Sequence, residues 1–502
     1  MIKLEKNLNN IKNSNLIYLI EKKSDIKILE NFDLEWLDKN KNILEKIEKV
    51  FKDQKNTSLE FFLWENNFEK LIVIFYTDKS KKTLIEFVSE IFRKITENNL
   101  TICANNDNSL LKLLDISILA RYKYFEYKTD KNSNKIDKIK ILLTPENWKK
   151  LKTLKLAEKK KKLSRKSELE YLEKSILERE KTLENIVFAR DLGSMPSNDL
   201  YPESFAKIVK KTKFKNTKVK ILDYKKIQKL GLGLIEAVWK GSIHKPNLVI
   251  LERIVDKKLP TIWIVWKWVT FDTGWIQVKP DTHMYEMKWD MCGAAQVFSI
   301  MKELDQKDLK VNIVACLCLA ENHISNEAYK PSDIIKSYSG KTVDIIHTDA
   351  EWRLVLADWV SYISKNYKLS KIITMATLTW ACMMALGFRY AWIMGSDDKL
   401  IDKFLKYSNK NFEKYNKLPY DNYFIEKTKS EIADLENLNR WIYAWSTMWA
   451  AFLSNFLMNN EPYTHLDIAW TAMNSYEPYG LANKWMTGFW VDSVSSILIE
   501  LE

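Results

Sequence analysis

Apolar runs of strand length alternate along this chain with charged stretches of helical period. In the first 155 residues, 59–64 (LEFFLW) and 70–78 (KLIVIFYTD) read as strands, and Ser80–Asn98 reads as an amphipathic helix capped by Ser80. A long polar helix follows over 155–192, with Leu163, Leu169, Leu172, Ile176, Leu183 and Val187 on its apolar stripe. From Ala189 the texture changes. ARDLGSMPSNDLYPESFA carries the punctuation of a turn that opens a helix. The runs NLVILERI, LPTIWIVW, VNIVACLCLA, TVDIIHT and KIITMATLT then alternate with helical segments. That order predicts an α/β fold of two domains, a smaller N-terminal α/β domain and a C-terminal mixed sheet flanked by helices. The expected boundaries are 1–155, a linking helix over 156–188, and 189–502. Ile372–Phe388 and Trp441–Asn460 are uncharged but carry Thr, Ser, Cys or Asn, so they read as buried core elements rather than membrane spans.

Composition sharpens this picture. With 502 residues, 46% hydrophobic and 29% charged, two domains with substantial cores are expected, and disorder is excluded for the chain as a whole. The net charge is +13, but only nine of the 79 basic residues are Arg. Lysine is a poor reader of bases, so the charge reads as a solvated surface, with nucleic acid as the minor reading. The basic run Lys159–Lys162 reads the same way, as a solvated helix start. Five scattered cysteines and an N-terminus without an apolar core point to a reducing, cytoplasmic setting. Glycine and tryptophan are out of balance. Gly numbers 11 and Trp 19, whereas average usage of roughly 7% would give about 35 glycines.

The chemistry lies where strands and helices meet loops. Lys267, Asp272 and Lys279 cluster around VTFDTG, Asp290 opens a helix in MKWDMCGAA, and HTDAEWRLVLAD supplies Asp349, Glu351 and Arg353. The five His are scattered singly, so a metal centre here has to be built from carboxylates. Four carboxylates in one cleft repel each other unless cations neutralise them, and two divalent ions would do so. Lys267 could ligate a metal only as the neutral amine, whereas Lys279 could stay charged and stabilise an oxyanion. The competing structural reading pairs Lys267 with Asp272 and makes Asp349 the cap of a helix starting near Arg353.

These segments, with MATLTWACMMALG (375–387), HLDIAW and YGLANKWMTGFWVDS, resemble the leucyl aminopeptidase (cytosol aminopeptidase) family over about 190–502. The resemblance implies a macro-like N-terminal domain and a dimetal catalytic domain over 189–502. It implies that Lys267, Asp272, Asp290 and Glu351 ligate one metal and that Asp272, Asp349 and Glu351 ligate the other. By the same resemblance the metals are Mn²⁺ or Zn²⁺, Lys279 is the electrophile, and Arg353 holds a bicarbonate general base. Met287, Thr377 and Leu378 would receive the substrate's first residue. The implied reaction releases N-terminal amino acids, leucine-type by preference, from peptides with a free amino terminus through a two-metal-activated hydroxide. A cytoplasmic homohexamer is the implied assembly, with no membrane partner.

One departure from the family is systematic. Trp266, Trp268, Trp275, Trp352, Trp380, Trp470 and Trp490 stand where the family has Gly, and Trp239, Trp445 and Trp485 look similar. A gene in which UGA encodes glycine, read with UGA as tryptophan, would produce this pattern. Trp36, Trp64 and Trp148 lie outside the matching region and stay unsorted. If the indoles are literal, the alternative is a catalytically inactive, basic, DNA-binding protein on the same scaffold.

Overall fold

The structure is a computed structural model that describes residues 2–5, 14–21, 41–52, 57–62, 68–76, 82–96, 98–104, 107–129, 138–142, 165–376, 383 and 385–501. It forms two compact units. One comprises Met1–Glu184 with Glu477–Asn483, and the other Asn185–Tyr476 with Lys484–Glu502. The division falls inside a single helix, Arg165–Ser194. That helix overlaps the long polar helix expected over 155–192. Leu172, Ile176 and Leu183 of the expected stripe are buried, but Ile186 is buried beside them in place of Val187.

The first unit is a six-stranded sheet. Its strands are β1 (Ile2–Glu5), β2 (Ser14–Ile20), β3 (Thr57–Phe62), β4 (Phe68–Phe75), β5 (Asn99–Ala104) and β6 (Lys138–Leu142), in the order β1-β6-β5-β2-β4-β3. All neighbours run parallel except β3, which pairs antiparallel with β4. The helix expected from Ser80 spans Leu84–Phe92, and its cap is Thr83. Thr83 and Glu86 form a reciprocal capping box, which satisfies two otherwise orphaned amides at once. Ser80 lies outside the described residues, as do Lys159–Lys162, Trp36, Trp64 and Trp148. The returning stretch 477–483 is tied into this unit. Arg93 Nε donates to Asn483 Oδ1 at 3.1 Å, and Asn483 Nδ2 donates to the carbonyls of Ala120 (2.9 Å) and Tyr122 (2.6 Å).

The second unit is built on eight strands. They are β7 (Lys218–Leu222), β8 (Asn247–Arg253), β9 (Thr261–Asp272), β10 (Asn312–Asn322), β13 (Lys371–Ala376), β14 (Tyr390–Gly395), β15 (Lys414–Lys417) and β17 (Tyr463–Asp467). Between them in sequence, β11 (Ile334–Lys336), β12 (Thr342–Asp344) and β16 (Leu435–Glu436) form a small separate sheet, and β18 (Met473–Asn474) pairs with β19 (Trp485–Met486). The large sheet has the order β15-β14-β17-β13-β9-β10-β8-β7. Its centre, β17-β13-β9-β10, is parallel, and antiparallel partners join on both sides. All eleven residues of β10 are buried, so both faces of the sheet are covered there. The helices Cys292–Leu304 and Trp352–Asn366 pack on β9 and β10. Among the described residues, no helix is long and apolar enough to cross a membrane. The uncharged run from Trp441 is only partly core: its helix Trp445–Ser454 is largely buried, but Trp441 and Tyr443 are exposed.

Candidate metal centre

The parallel centre of the sheet sends its strand ends to one side, where loops gather polar groups at the carboxyl edge. Asp272 is the last residue of β9 and fully buried. Its Oδ1 accepts from Asn322 Nδ2 at 2.6 Å and from the Gly274 amide at 3.0 Å. Asn322 ends β10 beside a register shift and also receives the Thr273 amide and hydroxyl on its carbonyl, both at 3.0 Å. The loop then turns sharply. Gly274 has φ 77° and Trp275 φ 64°, and a Cβ at Gly274 would lie 2.7 Å from the Gln277 carbonyl. This turn brings Lys279 back over the strand end, where its amide donates to Thr273 O at 2.9 Å.

A second loop meets the first. Thr348 Oγ1 donates to Gly274 O at 2.9 Å, and the Thr348 amide donates to Gln277 Oε1 at 2.7 Å. Asn437 holds the other flank, accepting from the Ile346 amide at 2.7 Å and donating to His347 O at 2.7 Å. Glu351 then starts the helix Trp352–Asn366, and the positive end of that helix favours its charge. Asp290 arrives from the 3₁₀ turn Tyr285–Met291, just before Cys292–Leu304.

Asp272, Asp290 and Glu351 converge, all buried, with one carboxylate oxygen of each within 4.8 Å of the others. At that separation two like charges repel by roughly 3 kcal/mol even at an effective dielectric near 20. Lys279 meets part of that charge. Its Nζ lies 2.8 Å from Asp272 Oδ2 and also pairs with Asp349 Oδ1. Burial opposes the Lys279 ammonium, but Asp272, Asp349 and Glu351 together push its pKa up, so the lysine is charged. An all-oxygen, buried donor set of this kind fits a hard or borderline divalent cation such as Mn²⁺ or Zn²⁺. Arg353 is also buried, and burial lowers its pKa to about 9 against the pull of Glu351. Its guanidinium lies 3.5 Å from the centre of the Trp449 ring, and its Nε and Nη2 have no hydrogen-bond partner among the described residues.

Beside Lys279 and Asp349 opens a cavity of about 450 Å³, lined also by Gln277, Val278, Pro280, His283, Met287 and His347. Met287 thus shares this cavity with Lys279 and Asp349. Two of the histidines that looked scattered meet at this cavity. His347 accepts from the Asp349 amide at 3.2 Å, and burial together with Lys279, Arg440 and Arg353 keeps its pKa low. The Lys267 side chain, Thr377 and Leu378 lie outside the described residues; only the Lys267 backbone is described, in register with Cys318. Asp349 does not cap the following helix. Glu351 is the residue at that position, and its side chain makes no capping bond. Trp352 is buried at the first helical position, and the three carboxylates meet with it in place. Asn322, Gln277, Thr348 and Asn437 carry much of this geometry and had no signal of their own in the sequence.

Known proteins resemble this chain. The pattern of the cytosol aminopeptidase family, catalytic domain, matches residues 187–495. A "Probable cytosol aminopeptidase" of Cenarchaeum symbiosum is 40% identical over 319 residues, which span 62% of this chain and 65% of that protein. One of Brucella melitensis is 39% identical over 314 residues, or 62% of this chain and 64% of that protein. The chain thus spans a little under two thirds of the length of these curated relatives. A solved structure, "Bottromycin maturation enzyme BotP in complex with Mn", has the same fold, with a TM-score of 0.78 at 23% identity over 97% of this chain and 98% of that one. Residues 187–495 cover the strand ends, the carboxylate cluster and Lys279, and on that match the chain belongs to the cytosol aminopeptidase family.

Proposed function

We propose that this chain is a metal-dependent aminopeptidase that removes single residues from the free amino end of peptides. The observation that carries this reading is the buried meeting of Asp272, Asp290 and Glu351 beside the charged Lys279, at the wall of an open cavity. Asp272, Asp290 and Glu351, joined by Asp349 and the neutral amine of Lys267, would hold two divalent ions, Mn²⁺ or Zn²⁺. Bound there, the ions would activate water and polarise the scissile carbonyl. Lys279 supplies a fixed positive charge for the oxyanion that develops on that carbonyl. Arg353, with two guanidinium nitrogens unpartnered in a dry setting, would hold a small anion, bicarbonate by resemblance, as proton carrier. Met287, with Thr377 and Leu378, would receive the first side chain, with leucine-type preference. The relatives' names support a cytosolic setting, and a homohexamer is the assembly the family implies.

The test is hydrolysis of leucyl p-nitroanilide and of leucyl peptides, each with a free and an acetylated amino end, with and without Mn²⁺. Release from the free amino end alone, lost with chelator and restored by Mn²⁺, is expected. Hydrolysis that ignores acetylation, or that persists in both Asp272→Asn and Glu351→Gln, would sink the proposal.

A further inference from the structure

We infer that the chain made in the cell carries glycine at positions 275, 485 and 490. Among the described residues only five other than glycine have φ in the left-handed region, and three of them are Trp275 (64°), Trp485 (75°) and Trp490 (78°). The remaining two are Ser332 and Asn460, short polar residues that can bond to their own backbone there, as asparagine often does. A tryptophan has no such compensation, and its Cβ meets the backbone as any other does. Glycine alone adopts this conformation freely, and seven glycines of this chain do so.

The local structure holds each backbone in place independently of the indole. The Trp275 amide donates to Thr273 Oγ1 at 3.1 Å, directly after Gly274, which is itself left-handed. Two left-handed residues in succession make the turn between Asp272 and Lys279. The Trp490 amide donates to Glu413 Oε1 at 2.8 Å and begins the helix Val491–Ile499. Trp485 pairs across the short β18–β19 ladder with Asn474. The backbone bonds at 275 and 490 and the ladder position of 485 are all available to a residue without a side chain.

The indoles themselves fit poorly. Buried indole N–H groups usually find an acceptor. Here Trp263, Trp275, Trp289 and Trp392 are buried, yet their Nε1 atoms have no hydrogen-bond partner among the described residues. Nineteen Trp against 11 Gly is the composition expected if one codon for glycine is read as tryptophan. The inference rests on backbone geometry and holds whether or not the chain is a peptidase. It also removes a Cβ and a ring from the turn that presents Lys279.

Peptide mass spectra of the protein isolated from cells of its natural source decide the matter, read across Thr273–Lys279 and across Lys484–Val491. The mass of a glycine residue at 275, 485 and 490 is expected. The mass of tryptophan at any one of the three overturns the inference.

Discussion

One helix displays two ways of burying a carboxylate. At its start, Glu351 shares a small space with Asp272 and Asp290, three acids together. Two turns on, Asp358 is alone and equally buried, and it accepts backbone amides from Leu234 (2.8 Å), Ile235 (3.2 Å) and Tyr338 (2.7 Å). Asp358 ties three segments together with bonds that belong to the fold. The cluster instead crowds three carboxylates beside the Lys279 ammonium, an arrangement that a divalent cation would stabilise further. Burial alone therefore does not mark a functional acid. What distinguishes the cluster is the crowding of like charges in one buried space.

The difference can be broken most strongly at Glu351. Glu351→Gln is expected to cut metal-dependent hydrolysis by a thousandfold or more, a loss of about 4 kcal/mol in the barrier. Its thermal midpoint without metal should not fall, because a like charge leaves the cluster. A midpoint drop comparable to that of a core substitution would mean the acid is structural. Asp358→Ala should do the reverse. Three backbone amides lose their acceptor, at a cost of about 3 kcal/mol in urea unfolding, while Mn²⁺ affinity measured on the folded fraction stays unchanged. Weakened Mn²⁺ binding would erase the distinction between the two acids.

Metal itself should then separate the two regions. At a free Mn²⁺ concentration of about 100 times Kd, the wild-type chain gains about 2.7 kcal/mol, read as a rise in thermal midpoint that chelator abolishes. Asp358→Ala should keep that increment and Glu351→Gln should lose most of it. The smallest effect is in pH. Burial pushes the Asp358 carboxyl up to about 7, against three backbone amides that pull it down. The unfolded carboxyl titrates near pH 4. The folded value is the raised one, so the contribution is fully present below pH 4 and is lost as pH rises through 7. The stability difference between wild type and Asp358→Asn should therefore shrink by on the order of 2 kcal/mol between pH 5 and pH 8. A difference that grows with pH would refute the assignment.

Much of this was legible in the sequence, for physical reasons that differ by element. β9 and β10 could be read because central parallel strands are buried on both faces and so appear as unbroken apolar runs. Asp272, Asp290 and Glu351 could be read because charge abruptly follows such runs where strands end and helices begin. Asn322 could not, since an asparagine closing a strand looks the same whether it holds a buried carboxylate or faces water. The pairing of Gln277 with Thr348 spans 71 positions and has no local signature. The cap sits at Thr83 and not at Ser80, and Thr83-x-x-Glu86 has the reciprocal form of a capping box. The exposed Trp441 and Tyr443 show the converse, since an apolar composition does not by itself bury a segment.

The short return of residues 477–483 has a consequence for the gene. The first unit is completed by residues 477–483, far downstream of Glu184, and Asn483 bonds with Arg93, Ala120 and Tyr122. It is therefore not a cassette that recombination could exchange by a single crossover near codon 184. A chimaera joined there would inherit a foreign closing segment, so residues 1–184 and 477–483 are bound to evolve as a matched pair.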